Sequence, residues 1–450
     1  MVARRIIDSI TPGWQQIGAV WLPLPHLLNL VPVQVDAFYR TGLSAIAISM
    51  LAFAAAAYAC SRIILEATGS RLAAVAGTAV LVLSPDLLYL QATPMTEPLL
   101  VGLMMLALLA LFVWIAGDAT AQGHLAGWLL AASCLCRYEA WPATAAALAA
   151  SLLAIRWQGR RWRDAIRAVA LVAVYPAASV IAFMVLSRVT VGEWLVSSGF
   201  FVPDNLDMGR PLRAAASVWW GTHRLTGFGA LLLAVGGLVM TIRAVLRSRA
   251  SAGLLVFVAL AGTAVLPWYA FVSGHPFRIR YMIPLIPMVA VFAGIAVGLA
   301  GRARWVAAAV LLACVGLETL PYHGRSPMVL EAQWDRDNAQ GRQAVSACLE
   351  RGYRGEKIMA SMGSLGHYMQ ELSHQGLALR DFLHEGNGDI WLSALKAGPR
   401  VHVGWVLIEE TAEGGDMLAV RVRQNPRFLR GFSRVCEGGG VALYRRTSLP

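Results

Sequence analysis

Glu97-Pro-Leu-Leu-Val-Gly-Leu-Met-Met-Leu-Ala-Leu-Leu-Ala-Leu-Phe-Val-Trp-Ile-Ala116 is the stretch that decides the architecture. After its first residue it carries no charge, and at about 1.5 Å per residue a helix of this length spans about 30 Å, the thickness of bilayer hydrocarbon. It offers no polar face, so it is not the amphipathic helix of a soluble protein. It reads as a membrane span that starts with a carboxylate at one interface.

The same character recurs along the chain. Apolar stretches at about 41–60, 72–90, 124–136, 140–155, 166–187, 226–245, 252–273, 282–300 and 305–320 join 97–116 to give about ten transmembrane helices. Hydrophobic residues make up 57% of the chain and charged residues 14%, against roughly 25% charged in soluble domains. Too little polar surface remains to coat a globule of this size. The expected fold is mainly α: a polytopic membrane helix bundle at 41–320, preceded by an outer-face segment at 1–40 with an interfacial helix and followed by a small extracytoplasmic α/β domain at 321–450. Ile17 to Leu30 is apolar, but Pro23, Pro25 and Pro32 interrupt it, so it is expected to lie along or dip into the interface without crossing.

The formal charge of +12 is almost all arginine, since the only lysines are Lys357 and Lys396. Grouping alternate loops puts Arg62, Arg71, Arg156, Arg160, Arg161, Arg163, Arg167, Arg243, Arg247, Arg249, Arg302 and Arg304 on one side, in short connections. That pattern marks a cytoplasmic face of a multi-pass inner-membrane protein, not a nucleic-acid patch. Residues 1–40, the 91–96 turn, the 188–225 loop, the 274–281 turn and everything after 321 then face outward. Ten spans leave the N-terminus outside with no apolar helix to lead it across, so a longer natural chain with at least one more helix is expected.

After Pro321 the composition turns polar and Gly-rich. Val401–Ile408 and Val441–Tyr444 read as strands and Asn338–Arg351 as a helix. Glu409, Glu410, Glu413 and Asp416 read as a solvated strand end. Cys348 and Cys436 share this part and are expected to pair if it lies outside. Cys60, Cys134, Cys136 and Cys314 lie in or beside apolar helices and read as packing residues.

Polar groups gather where the outward ends of the spans are expected. Trp21-Leu-Pro-Leu-Pro-His26 would hold an imidazole at the surface, and a carbonyl-bound structural His26 is the equal alternative. Glu97 stands before Pro98 at a helix start, where capping and the helix dipole compete with a functional role. Arg137 and Glu139 share that side and pair with each other or with Glu97. Gly274-His-Pro-Phe-Arg-Ile-Arg-Tyr281 packs His275, Arg278, Arg280 and Tyr281 into one turn. Arginine forks suit the oxygens of a headgroup or isoprenoid phosphate, although headgroup snorkelling accounts for one such arginine. The 188–225 loop adds Glu193, Asp204, Asp207, Arg210, Arg213, His223 and Arg224 with Phe200, Phe201, Trp219 and Trp220, a pattern of an amphipathic cover or of an idle interfacial loop. The chain has no P-loop, no His-rich metal ladder and no nucleophile elbow. Charges in mid-helix are scarce, which disfavours a proton-coupled pump.

Five stretches, Ala3 to Gly13, Trp21 to Leu28, Leu87 to Leu100, Cys136 to Trp141 and Gly274 to Pro287, resemble in order and topology the GT-C superfamily of polytopic glycosyltransferases, in particular members similar to protein O-mannosyltransferases and the aminoarabinose transferase of lipid A. The resemblance implies transfer of a sugar from a polyprenyl-phosphate donor to a lipid, glycan or protein acceptor on the outer face of the cytoplasmic membrane. It implies an acid in the first outer loop that activates the acceptor, Glu97 as a catalytic candidate at the position where such enzymes often carry a second carboxylate, and Arg280 with Tyr281, joined by Arg278 and Arg137, on the donor phosphate, with His26, Glu139 and His275 as further candidates. No cofactor is fixed: some relatives use a divalent metal ion, and no ligand set here decides the matter. The family's first helix and its loop acid lie upstream of the segment matched by Ala3 to Gly13. Asp8, the only carboxylate before residue 36, matches a later loop position and is not assigned as the base. A misassigned start or an inactive, truncated form are the two expectations. A flippase or transporter of lipid or polyprenyl phosphate, or a non-catalytic envelope-assembly subunit, are the alternatives.

Overall fold

The computed structural model describes residues 1–18, 20–117, 120–195, 205–319, 325–333, 339–411 and 416–447. Three short helices, α1 (Val2–Arg5), α2 (Leu24–Asn29) and α3 (Asp36–Thr41), form the N-terminal segment. The bundle follows as α4 (Leu43–Thr68), α5 (Arg71–Val82), α6 (Pro85–Gln91), α7 (Glu97–Gly117), α8 (Thr120–Cys134), α9 (Ala140–Trp157), α10 (Trp162–Val191), α11 (Pro211–Thr226), α12 (Phe228–Arg247), α13 (Val265–Val272), α14 (Ile286–Leu299) and α15 (Arg304–Cys314). 3₁₀ stretches Arg249–Ala264 and Ile279–Leu285 lead into α13 and α14. The chain punctuates these elements itself. Left-handed Gly42 and Gly69 bracket α4, and the Ser70 and Ser84 side chains cap α5 and α6 by accepting the Ala73 and Leu87 amides.

All ten apolar stretches read from the sequence are helical over most of their length. Among the described residues six helical segments are by themselves long and apolar enough to cross a membrane, and a seventh joins them if α5 and α6, bent by 66° at their junction, count as one span. The other three stretches hold α8, α9 and α15, which are shorter or more weakly apolar and pack against the long helices. Lipid-facing sides remain apolar, as at Leu51, Leu171 and Val189, which fits a protein whose solvent is hydrocarbon.

The centre of the bundle is α14, part of the span Ile279–Leu299, whose most apolar 18-residue window is 83% buried. It packs against α4, α5 and α12, and glycine makes the contact possible. A Cβ on Gly237 of α12 would lie 1.8 Å from the Phe292 carbonyl oxygen, and one on Gly77 of α5 would lie 2.7 Å from the Gly294 Cα. Backbones this close gain dispersion contacts that larger residues would exclude, the device membrane helices use where apolar burial supplies no net drive.

Beyond the bundle come α16 (Pro327–Gln333), α17 (Ala339–Gly352), β1 (Ile358–Met359), α18 (Met362–Leu372), β2 (Phe382–Leu383), α19 (Asp389–Ala397), β3 (Trp405–Glu409), α20 (Met417–Gln424), β4 (Phe432–Gly438) and β5 (Val441–Arg446). The five strands form one sheet in the order β2-β1-β3-β5-β4, parallel across β2-β1-β3 and antiparallel across β3-β5-β4. Val401–Ile408 is thus strand only from Trp405, because Pro399–Val401 forms a 3₁₀ turn first. The helix expected from Asn338 is α17, with Asn338 itself outside the described residues, as Glu413 is. Asp416 is not a solvated strand end. It is 1% exposed and caps α20, accepting the Leu418 and Ala419 amides at 2.8 and 3.0 Å. Cys348 of α17 and Cys436 of β4 are joined as a disulfide.

The N-terminal segment packs on this α/β unit. Ala3, Val33 and Tyr39 share a core with Leu365, Phe382 and Trp405. Asp8 accepts the Leu379 and Arg380 amides at 3.1 and 3.3 Å and pairs with Arg4 at 3.1 Å and Arg380 at 3.6 Å. Gln16 donates to the Gly386 carbonyl at 2.8 Å, and Asn387 donates to the Ser9 and Thr11 hydroxyls. On its other side the segment reaches the bundle, where the Leu24 amide donates to the Leu135 carbonyl at 2.9 Å.

Candidate functional site

The expected polar cluster assembles where three connections meet. Pro98 in the first turn starts α7 immediately after Thr96-Glu97, so the Glu97 carboxylate lies at the positive end of the helix dipole. The break between α8 and α9 presents Arg137 and Glu139. The 3₁₀ turn Ile279–Leu285 on top of α14 presents Arg280 and Tyr281, with Arg278 just before it.

Arg137 is the hub. Its NH1 donates to Glu97 Oε1 at 2.9 Å and to the Thr96 hydroxyl at 3.0 Å, while its Nε and NH2 reach Glu139 Oε1 at 3.2 and 2.5 Å. Arg280 Nε approaches the same Glu97 oxygen at 3.7 Å. Burial opposes the Arg137 charge, but Glu139 and Glu97 beside it outweigh that and raise its pKa above the ordinary arginine value. Glu97 is wholly buried, whereas the Arg280 side chain keeps 28% exposure. Glu97 Oε2 has no hydrogen-bond partner among the described residues, so one carboxylate oxygen stays unspent in a closed setting. Two arginines stand against two glutamates here.

The His275 turn is held separately. His275 Nδ1 bonds the Pro276 carbonyl at 2.9 Å, which puts the ring proton on Nδ1 and leaves Nε2 to accept from the Tyr281 hydroxyl at 3.3 Å. Asn205 donates to the His275 carbonyl. The Arg280 guanidinium sits 5.8 Å from the Tyr281 ring centre. Over this turn lies α11, whose Trp220 packs on Phe277 at 5.5 Å. Asp207, just upstream, is buried and accepts from Arg213 at 3.1 Å and Ser217 at 2.7 Å. The 188–225 loop is therefore in part an amphipathic helix docked beside the site. Asp204, Phe200 and Phe201 lie outside the described residues.

Glu97, Arg137, Glu139 and Arg280 come together, with Tyr281 and His275 adjoining and Arg278 two residues from Arg280. His26 takes another place. Its ring meets Trp21 edge-on at 6.2 Å, and burial, the terminal ammonium and Arg5 all push its pKa down. Thr96 was not singled out from the sequence. Its only signal was its position next to Glu97, and a hydroxyl carries no pattern of its own. Among the described residues no group of three or more His, Cys, Asp or Glu side chains is placed to hold a metal ion. The site's two glutamates are both engaged by Arg137.

No family model matches the chain, and no curated protein matches it in sequence. Solved structures do. The crystal structure of ArnT from Cupriavidus metallidurans in the apo state superimposes with a TM-score of 0.64 over 98% of this chain and 91% of that one, at 12% identity. The fold is that of ArnT. A second structure, ArnT from the same organism bound to undecaprenyl phosphate, gives a TM-score of 0.62 over 98% of this chain and 92% of that one, at 13% identity. The likeness to ArnT covers both the multi-pass bundle and the C-terminal sheet, so the polytopic architecture expected from the GT-C resemblance is the one observed.

Proposed function

We propose that this chain is a membrane glycosyltransferase that takes a sugar from a polyprenyl-phosphate donor and passes it to an acceptor on the outer face of the cytoplasmic membrane. The observation that carries this reading is the Glu97-Arg137-Glu139-Arg280 cluster at one end of a bundle with the ArnT fold. ArnT itself has been crystallised with undecaprenyl phosphate. On this reading the C-terminal unit is extracytoplasmic, which the Cys348–Cys436 bond supports, because disulfides persist in oxidising compartments.

Departure of a polyprenyl phosphate leaves a dianionic group that needs preorganised cations. On this reading Arg280 and Arg278 supply them, and Tyr281, whose hydroxyl goes to His275, stands beside Arg280. The sequence reading made Glu97 a catalytic candidate. Its burial and its contacts with two arginines favour another role: it holds Arg137 and Arg280 side by side, so Arg280 meets phosphate without reorganising. No step is routed through a metal.

Purified full-length protein titrated with undecaprenyl phosphate tests the reading. Binding is expected in the micromolar range or tighter, about −8 kcal/mol, and wild-type protein that neither binds the lipid phosphate nor consumes any polyprenyl-phosphate sugar would sink it. A flippase would need polar residues along a path through the helices. Here they gather at the helix ends, which favours transfer.

A further inference from the structure

At the opposite end of α9 from Arg137 and Glu139, about 27 Å along an 18-residue helix, the bundle opens a cavity of about 710 Å³. It lies between the ends of α9 and α12 and the starts of α10 and of the 3₁₀ stretch Arg249–Ala264. None of its lining residues is acidic, and two are arginine, Arg156 and Arg249. Its walls are Trp157, Trp162, Val245 and Leu246 with further aliphatic residues. This is apolar surface turned outward: Leu246 is 65% exposed, Trp162 51% and Trp157 44%.

The cavity is built, not merely left over. The Trp157 indole N–H donates to the Val245 carbonyl at 3.0 Å, which ties α9 to α12 and fixes the ring as a wall. Arg156 lies 5.6 Å from the Trp162 ring centre, a cation–π contact that holds the guanidinium over the aromatic face. Gly159, at φ +102°, turns the chain here, and the NH1 of Arg249 lies at ordinary contact distance, 3.6 Å, from where its Cβ would be. Arg160, Arg161, Arg163, Arg243 and Arg247 follow in the same connections.

We infer that this cleft is a binding site for an anionic phospholipid of the cytoplasmic leaflet, with the headgroup phosphate on Arg156 and Arg249 and the acyl chains along Trp157, Trp162 and Leu246. Charge complementarity selects the phosphate, as basic pockets between membrane helices do on this side. A free phosphate would leave the apolar walls bare, so the occupant is a lipid. The site is separate from the Glu97 end and does not depend on what that end does.

The test is native mass spectrometry on purified full-length protein titrated with cardiolipin or phosphatidylcholine. Cardiolipin is expected to be retained at least tenfold better, and the Arg156→Ala/Arg249→Ala pair is expected to bring it down to the phosphatidylcholine level. Arg302→Ala/Arg304→Ala, which removes equal charge from another connection at this end, is expected to leave retention unchanged. If the alanine pair does not fold, Arg156→Gln/Arg249→Gln takes its place with the same expectation. The inference is overturned if the wild type shows no preference, if both double variants lose retention equally, or if inorganic phosphate displaces the lipid.

Discussion

Asp8 and Glu97 are both carboxylates buried between two arginines, one where the N-terminal segment meets the α/β unit and the other at the end of the bundle. Asp8 spends both oxygens, on two backbone amides and on Arg4 and Arg380. Glu97 spends one oxygen on Arg137 and Arg280 and leaves the other unpartnered. The first is a joint: both oxygens are engaged by groups that belong to the fold. The second holds Arg280, whose side chain is partly exposed. Burial and ion pairing are common to both, so neither marks a site; what separates them is the polar capacity left unspent.

The largest break in this comparison is Arg137→Leu. It takes from Glu139 the arginine that holds it and leaves Glu97 with Arg280 at 3.7 Å, and removing one partner of a buried pair costs about 3–5 kcal/mol. The expected result is loss of the monodisperse peak in size exclusion or a strongly lowered thermal transition. The triple change Glu97→Leu/Arg137→Leu/Glu139→Leu is expected to recover the transition while binding of undecaprenyl phosphate stays lost. If the triple variant still binds, the cluster is structural only.

Arg280→Ala is expected to leave the transition near its wild-type value and to weaken undecaprenyl phosphate binding tenfold or more, the equivalent of about 1.4–3 kcal/mol for a charge-assisted hydrogen bond. An unchanged affinity would take Arg280 out of the site.

Acidification should act on the joint. His384 lies in the loop that Gln16 and Asn387 tie to the N-terminal segment, and burial with Arg5 nearby pushes its pKa down to about 3. Between its ordinary value of about 6.5 and that figure, the unfolded chain takes up a proton that the folded chain refuses. Stability contributed by neutral His384 is therefore full above about pH 6.5 and falls on acidification by at most about 1.4 kcal/mol per pH unit. Denaturation of the full chain at pH 7 and pH 5, followed by amide exchange around Phe382–Asn387, should show the loss, and His384→Gln should flatten it. An equal slope in the variant would assign the effect elsewhere.

The smallest expected effect is Asp8→Asn, about 1–2 kcal/mol, because the single side-chain oxygen of asparagine keeps one of the two amides while the other amide and the arginines lose their acceptor. Exchange at Leu379 and Arg380 should quicken while lipid-phosphate binding holds. A loss of binding comparable to that of Arg280→Ala would erase the division between the two clusters.

The bundle was legible because its signal is local. A run such as 97–116 declares itself by length alone, and arginine spacing orders the loops. The cluster at this end of the bundle was legible in its charged members, since Glu97, Arg137 and Arg280 each stand at a helix end in an otherwise apolar sequence. The partnerships were not, because Arg137 and Glu97 are 40 residues apart, and only the packing of α7 against α8 and α9 brings them within reach. The N-terminal joint was missed for the same reason: Asp8 meets Leu379 across 371 residues. Asp416 misled because a carboxylate after a strand is usually solvated, and its capping role depends on where α20 begins.

The glycine contacts of α14 bear on how damage would spread. Arg280 stands on the turn that opens into this helix, and α14 is positioned by the backbone of α12 at Gly237 and of α5 at Gly77. Adding a single methyl group at Gly237 would push α14 sideways in the middle of the bilayer and swing its upper end, and Arg280 with it, as a lever does. Inherited or selected loss-of-function changes in this protein should then concentrate at such buried glycines as well as at charged residues, in positions no substrate ever touches.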